Sequence, residues 1–207
     1  MAQQERAVRT REAVVRAAAE AFADAGFLAT SMADIFARAG VTKGALYFHF
    51  TSKEELAFAI IDAEEQAAGE LIESVMSTDS PPLQKLIDIS FRWAHLIQSN
   101  PIVQAGLRMI IEQGTYSRPM PLPYNAWQEL SAQLLTQAQE RGELERSVDV
   151  RNMAEFIVSS FTGAQIVSQV VSGHKDLVQR VERMWQLLLK GILPPGNPIV
   201  FFPRFES

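Results

Sequence analysis

Apolar residues recur along this chain with the spacing of amphipathic helices, and no stretch shows the sustained alternation that strands require. In the first predicted helix, over residues 6–25, Val14, Ala18 and Phe22 lie one turn apart, and Gly26 ends the pattern. Similar spacing recurs through most of the chain. The pattern therefore predicts an all-α protein.

Polar caps and glycines divide this pattern into separate helices. Thr30 or Ser31 is suited to begin a second helix, which Gly40 ends. Thr42 is suited to begin a third helix, which is short. Two short helices joined by a glycine turn are the plan of a helix-turn-helix motif.

A longer fourth helix is predicted to follow, because Ser52 and Glu55 have the spacing of a capping box. We place a domain boundary inside this helix, so that residues 1–54 form one domain and residues 55–207 another. Further helices are predicted at residues 83–99, 102–113, 125–141, 150–172 and 177–190, with proline-containing irregular segments at 114–123 and 191–207, the latter carrying an apolar patch at 199–202 that packs on the body.

The composition is that of an ordinary globular chain. Hydrophobic residues make up 47% of the 207 residues and charged residues 21%, and no apolar run approaches the roughly 18 residues that span a bilayer. The absence of cysteine excludes disulfides, thiol catalysis and cysteine metal ligands. We therefore expect a cytoplasmic protein with no membrane contact and no resident cofactor.

The net charge of −5 is unevenly distributed along the chain. Up to Lys53 there are seven Lys or Arg against five Asp or Glu, whereas from Glu54 onward there are twelve against nineteen. A mildly basic head on an acidic body fits a protein that meets DNA at one end only.

The helix-turn-helix candidate has an apolar base and a free polar side. Ile35, Val41, Leu46 and Phe50 are predicted to form the base that fixes the crossing of the two helices. Gly40 gives the turn its backbone freedom. The polar side of the third helix can then enter the major groove of DNA, which admits one α-helix.

Residues on and beside this polar side are the predicted DNA contacts. Lys43 can donate to guanine O6 and N7, and Gly44 lets the backbone come close to the DNA. Without the surrounding motif, Lys43 could as well be an ordinary solvated charge, and Tyr47 could as well be a core residue. The complete predicted set is Arg6, Arg9, Thr30, Ser31, Thr42, Lys43, Gly44, Tyr47, His49 and Lys53, with Tyr47, His49 and Lys53 on phosphates and the arginines in an arm along the backbone or minor groove.

The run from Thr30 to Leu56 resembles the DNA-binding head of the TetR family of bacterial regulators. The family pattern is Ala-Gly-Val, a polar cap, Gly, Leu-Tyr, an aromatic-rich His-Phe and a later Lys and Leu, all of which are found here. Phe36 departs from it, because the family commonly has Ala there, and we expect altered packing of the first three helices. The resemblance implies a TetR-like fold with an N-terminal helix-turn-helix head and a C-terminal helical domain for ligand binding and dimerisation.

The resemblance also implies a homodimer formed through about residues 150–190. These helices carry more apolar surface than one monomer can cover, as obligate interfaces do, although core packing is the rival explanation at some positions. The two reading helices of a dimer would lie about 34–36 Å apart, one turn of DNA. The apolar residues concerned are Phe156, Ile157, Phe161, Val167, Val170, Met184, Trp185 and Leu188.

The chain between residues 55 and 175 is rich in apolar and aromatic residues with sparse polar groups, as in a helical core or a pocket for an apolar ligand. Trp127 has an indole N–H that needs a partner when buried. Thr162 and Gln165 lie about one turn apart on a helix and can face a common space. The predicted ligand-binding set is Gln66, Phe91, Met109, Trp127, Phe161, Thr162 and Gln165.

Most of the chain resembles one branch of that family, the γ-butyrolactone autoregulator receptors of Streptomyces and relatives. In that branch a tryptophan matching Trp127 lines the signal pocket, and the branch also includes receptors for furans, butenolides and antibiotics. The resemblance implies a repressor of antibiotic production or related secondary metabolism, released from its operator by a small neutral signal. The resembling segments are 40–50, 52–57, 105–108, 124–127 and 166–169.

Three other functions stay open. An enzyme has little support, because His49, His95 and His174 are the only histidines and none has metal-ligand spacing. A helical scaffold would bind a partner through its apolar tail. A multidrug-responsive repressor of an efflux or resistance gene would need acidic groups in its pocket, for which Glu112 and Glu129 are the main candidates.

Overall fold

The computed structural model describes residues 2–112 and 123–194. Within these residues it contains helices and turns but no strand, which confirms the predicted fold class. Most of the predicted loop 114–123 and all of the apolar patch 199–202 lie outside the described residues. The helices are α1 (Ala2–Ala25), α2 (Met32–Ala39), α3 (Lys43–His49), α4 (Lys53–Met76), α5 (Pro82–Ser99), α6 (Pro101–Ile111), α7 (Tyr124–Glu140), α8 (Val150–Ser172) and α9 (Leu177–Ile192).

The chain forms two compact units. Unit 1 comprises Met1–Gly69 and Ser99–Pro121, and unit 2 comprises Glu70–Gln98 and Leu122–Ser207. The division falls within α4, so this continuous helix belongs to both units, and α6 belongs to the unit that carries the helix-turn-helix. The predicted boundary at residue 55 stays a prediction.

Unit 1 is built on the apolar side of α1, whose predicted core positions are fully buried. The predicted base of the helix-turn-helix is confirmed at Ile35 and Phe50, which are buried in the same cluster. Val41 is partly buried against it, and the side chain of Leu46 is not among those described. Phe36, the departure from the family pattern, is also partly buried there.

Side-chain caps fix the ends of the two short helices. Ser31 begins α2, because its Oγ accepts the N–H of Asp34 at 3.2 Å while the Asp34 carboxylate accepts the N–H of Ser31 at 2.9 Å. Gly40 ends α2 in the left-handed conformation, with a φ of 65°. Thr42 caps α3 by accepting a first-turn N–H at 3.2 Å.

Only one of the two hydrogen bonds of the predicted α4 capping box is present. Ser52 Oγ accepts the N–H of Glu55 at 3.1 Å, but the Glu55 carboxylate accepts the N–H and hydroxyl of Thr51 at 2.7 and 2.9 Å. These hydrogen bonds from Thr51 hold the pKa of Glu55 below its ordinary value. The cap residue Ser52 lies two residues after the buried Phe50, so only three residues separate α3 from α4.

Unit 2 contains α5, which is buried along almost its whole length. In the same unit α7 packs on α8, and α8 packs on α9. The Trp93 ring of α5 lies 5.6 Å from the Trp127 ring of α7, measured between centroids. Aromatic and aliphatic contacts therefore join most of these helices.

Candidate DNA-reading and signal-binding sites

The side of α3 that was predicted to read DNA is open. Lys43, Gly44 and Tyr47 are exposed, and nothing lies within 4 Å of the position that a Cβ on Gly44 would take. The Lys43 ammonium lies 5.8 Å from the centre of the Tyr47 ring, as expected for neighbours one turn apart. At 42% exposure, Tyr47 is not a core residue. The helix thus presents an ammonium and a phenol together, and both can bind base edges or phosphates.

Phe48 also lies on the exposed side of α3, although it was not among the predicted DNA contacts. It is 81% exposed, and its ring centroid lies 5.1 Å from that of His49, edge to face. A phenylalanine on a reading helix can contact a thymine methyl. The signal was readable in the sequence, because Phe48 lies two positions from both Leu46 and Phe50 and so faces away from the apolar base.

The polar residues Ser31, Thr42 and His49, in or beside α3, differ in exposure and in whether their polar groups already make hydrogen bonds. Ser31 and Thr42 are exposed, but both hydroxyls accept helix N–H groups as caps, and the Ser31 hydroxyl also donates to Asp34 at 2.6 Å. His49 is half-buried. DNA contact by these three residues stays a prediction.

Thr30 and Lys53 are turned inward, and this geometry argues against their predicted DNA contacts. The buried Thr30 hydroxyl lies 2.8 Å from the carbonyl of Gly26 and 3.2 Å from that of Ala21. The Lys53 ammonium donates to the carbonyls of Phe27 and Thr30 at 2.6 and 2.8 Å, and burial lowers its pKa. Both side chains therefore stabilise the turn between α1 and α2. The sequence pattern did not indicate that the carbonyl groups of this turn are their partners.

Arg6 and Arg9 lie on a helix, not on an extended arm. Because α1 already begins at Ala2, both exposed side chains project from its first turns. The guanidinium of Arg11 lies 5.1 Å from the centre of the Phe50 ring, which brings positive charge beside the end of α3. Of the two predicted roles for the arginines, the helical geometry favours contact with the DNA backbone over insertion into the minor groove.

The predicted signal-binding residues are divided between the two units. Gln66 and Met109 belong to unit 1, where Gln66 is exposed and Met109 is fully buried. The remaining members belong to unit 2, where two are buried and three are partly buried: Phe91, Gln165, Trp127, Phe161 and Thr162.

Two polar groups of unit 2 have hydrogen-bonding capacity to spare. Among the described residues, neither the indole N–H of the half-buried Trp127 nor the amide of the buried Gln165 makes a hydrogen bond. The Thr162 hydroxyl donates to the carbonyl of Val158 at 2.8 Å and can still accept. The amide of Gln165 can both donate and accept, so it can bond to a polar ligand atom beside it.

The helix α8 exposes a stripe of apolar side chains. Val170 is 81% exposed, although a valine side chain is normally among the most buried. Ile157 and Trp185, which were predicted to be part of the dimer surface, are buried within unit 2, so they are core residues. We define the α8 stripe as Phe156, Ile166, Val167, Val170 and Val171.

Other kinds of site find no support in the part of the chain that the structure describes. Within residues 2–112 and 123–194, no group of three His, Asp or Glu side chains converges to hold a metal ion. Among the same residues, no helix is both long and apolar enough to cross a membrane.

Two family models match the chain. Residues 14–60 match the model described as bacterial regulatory proteins, tetR family, and residues 80–194 match the tetracyclin repressor-like C-terminal domain. The exposed α3 lies within the first match, and the α8 stripe lies within the second.

Individual relatives point to the same family. The chain is 42% identical over 196 residues to the A-factor receptor protein of Streptomyces griseus, with 95% of this chain and 68% of the receptor covered. It superposes on a γ-butyrolactone receptor described as ArpA-like with a TM-score of 0.80, at 33% identity, covering 92% of this chain and 91% of that one. It also resembles CprB of Streptomyces coelicolor in complex with its operator, with a TM-score of 0.83 at 31% identity, covering 93% and 92% of the two chains. This protein therefore belongs to the TetR family and is a DNA-binding transcriptional regulator, not an enzyme.

Proposed function

We propose that this protein is a repressor that binds its operator as a homodimer and leaves it when a γ-butyrolactone-class signal binds. The observation that carries the proposal is the open side of α3, where Lys43, Gly44 and Tyr47 stand free on a capped helix over a buried base. The similarity to the A-factor receptor extends over nearly the whole chain, so it includes the signal-binding part as well as the head.

The chemistry of unit 2 supports a neutral signal. A γ-butyrolactone offers a carbonyl acceptor on a small ring, which the N–H of Trp127 and the amide of Gln165 can satisfy, while aromatic surface covers its apolar part. Butenolides share the carbonyl and the ring size, so they are the nearest competitors. The proposed site has no charged residue among its members, which suits a ligand without charge.

A multidrug-responsive repressor is less well supported. Glu112 is already engaged, because its carboxylate pairs with Arg108 at 3.0 Å and accepts the N–H of Phe27 at 3.1 Å. Glu129 is exposed on α7. Neither carboxylate is therefore available in the way that recognition of a cationic drug requires.

A second copy of the chain is the proposed occupant of the α8 stripe. An exposed apolar surface of this kind on a helix is typical of a homodimer interface. A two-fold dimer would present two copies of α3 to successive major grooves. Such a protein would act in the cytoplasm, where its operator is.

Gel-shift measurements on the DNA upstream of the protein's own gene test the proposal. We expect salt-dependent binding of one duplex, no comparable binding of a scrambled duplex, and release on addition of A-factor or a related γ-butyrolactone. Release by antibiotics alone would favour the multidrug alternative. Equal binding to both duplexes would contradict the proposal altogether.

A further inference from the structure

The turn that joins α1 to α2 is held by Arg108 of α6 and by Glu112, the C-cap residue that follows this helix. Arg108 donates to the carbonyls of Ala23 and Asp24 at 2.7 and 3.1 Å, at the end of α1 where carbonyls lack partners within the helix. Glu112 accepts the N–H of Phe27 at 3.1 Å and pairs with Arg108 at 3.0 Å. We call Arg108 and Glu112 the α6 clamp.

The first residue of α4, Lys53, holds the same turn by its carbonyl groups. The Lys53 ammonium donates to the carbonyl of Phe27 at 2.6 Å and lies 4.4 Å from the centre of its ring. The Phe27 ring packs edge to face on Phe22, with 5.5 Å between centroids. The backbone of Phe27 is therefore held at its N–H by Glu112 and at its C=O by Lys53.

Gly26 shows how closely the α6 clamp lies on the backbone. A Cβ at this position would lie 2.8 Å from Nη2 of Arg108 and 2.9 Å from Oε1 of Glu112, and the φ of +87° also favours glycine. A side chain here would have to displace the clamp. The positive φ is what requires glycine here, and the short distances show that the side chains of Arg108 and Glu112 lie directly on this backbone.

The helix α6 is also close to α4. A Cβ on Gly106 would lie 2.9 Å from Cγ of Glu64, so the two helices approach at a position where a larger residue would not fit. Gly106 is only two residues from Arg108 on α6. A shift of α6 would therefore change its contacts with both α4 and the turn between α1 and α2.

We propose that Arg108 and Glu112 are positioning residues for operator binding. The N-cap of α2, Ser31, follows the turn directly, and three residues separate the end of α2 from α3. Fixing the turn therefore fixes the direction in which the reading helix leaves α1. Without the α6 clamp the turn opens locally, so α3 samples several orientations. Because few of these orientations fit the major groove, the affinity for DNA falls. The inference rests on the operator-binding half of the proposed function and needs no signal.

The variant Arg108→Gln tests the α6 clamp. Its affinity for an operator duplex is measured without signal, at a temperature well below the melting point of the variant protein. We expect operator affinity to fall by about ten-fold, the size of effect seen for residues in a coupling network. The salt dependence should stay unchanged, since Arg108 bonds to protein carbonyls and not to phosphate. Hydrogen exchange at the Phe27 amide should become faster, and Arg108→Lys should recover part of the affinity.

Arg180→Gln is the matched control. Arg180 pairs with Asp176 over the same spacing, at 2.7 Å, and the two side chains are 28% and 29% exposed, against 28% and 25% for Arg108 and Glu112. This ion pair lies in unit 2, so its loss should leave operator affinity unchanged once the variant is shown to have the oligomeric state of the wild type.

The outcomes separate the α6 clamp from the proposed function. An Arg108→Gln protein that melts earlier but binds operator as tightly as the wild type would make the clamp merely stabilising and overturn the inference. A salt slope reduced by about one would overturn it too, since that would show direct phosphate contact. If Arg108→Gln does not fold, Glu112→Gln gives the same comparison. A wild-type protein that prefers no duplex contradicts the proposed function instead.

Discussion

The two compact units expose different kinds of surface, the polar side of α3 in unit 1 and the apolar α8 stripe in unit 2. In unit 1, side chains such as Lys53, Arg108 and Glu112 bond to backbone groups at helix ends and in the turn between α1 and α2. Unit 2 has such bonds as well, for example from Gln98 to the carbonyl of His174 at 2.8 Å, but it leaves the apolar α8 stripe uncovered. Hydrogen bonds are directional and fix an orientation, which reading base edges demands. Apolar burial is non-directional and suits a second copy or an apolar signal.

The largest effect is expected from placing a charge in the α8 stripe. Val170→Asp should convert the dimer to monomers, and operator affinity should then fall by about 100-fold or more, because two linked heads bind far better than one. Sedimentation and operator binding measure the two effects. Gln137→Asp adds the same charge at an exposed position of α7 in the same unit and should change neither. If Val170→Asp remains a dimer, the interface lies elsewhere.

The reading surface of unit 1 should respond differently, without a change in oligomeric state. Lys43→Ala should weaken operator binding by about 1–3 kcal/mol and relax the base preference at one position, because a base contact is lost. Binding to a series of single-base operator variants measures this. Lys190→Ala removes an exposed lysine near the end of α9 and serves as the control. Unchanged affinity and preference in Lys43→Ala would remove Lys43 from this role.

Trp127 tests whether unit 2 receives the signal. Trp127→Ala should bind operator normally but need about ten-fold more γ-butyrolactone for release, because it loses ring contacts and an N–H donor to the signal, a loss of about 1.4 kcal/mol in signal affinity. Trp127→Phe retains one aromatic ring but loses the N–H and part of the ring area, so the difference between the two variants measures what one aromatic ring contributes. Release of Trp127→Ala at the wild-type concentration would count against this site.

The last effect is on folding stability alone and concerns a buried acid of unit 1. Burial raises the pKa of Glu64 from 4.5 to about 7, and the neighbouring charge of Glu65 adds to the shift. Below pH 4.5 the group is neutral in both the folded and the unfolded chain, so it costs nothing. As pH rises to about 7 the unfolded chain releases this proton first, so folding stability falls by about 1–3 kcal/mol.

Glu64→Gln should therefore be more stable than the wild type at pH 8 and equally stable near pH 4.5. Thermal unfolding at both pH values measures the difference. Glu73→Gln, at an exposed position of the same helix, should show no such pH dependence. An equal gain for Glu64→Gln at both pH values would contradict the assigned cause.

Much of the fold could be predicted because its determinants are local. The helix predicted at residues 150–172 is found as Val150–Ser172, since an Asp cap begins it and a left-handed glycine ends it. The openness of Lys43 and Tyr47 followed from the same periodicity. Helical spacing and capping depend on neighbours within one or two turns, and these can be read from the sequence.

The side-chain partners could not be read in this way. Thr30 and Lys53 carry groups suited to DNA, yet they bond to the turn between α1 and α2, and Glu112 meets Phe27 from 85 residues away. Trp185 is core although it lies among residues of the predicted interface. By itself the sequence determined the helices, their apolar faces and the family. Only the tertiary structure decided which polar groups are used internally, because a hydrogen bond depends on the distance between helices that no local pattern encodes.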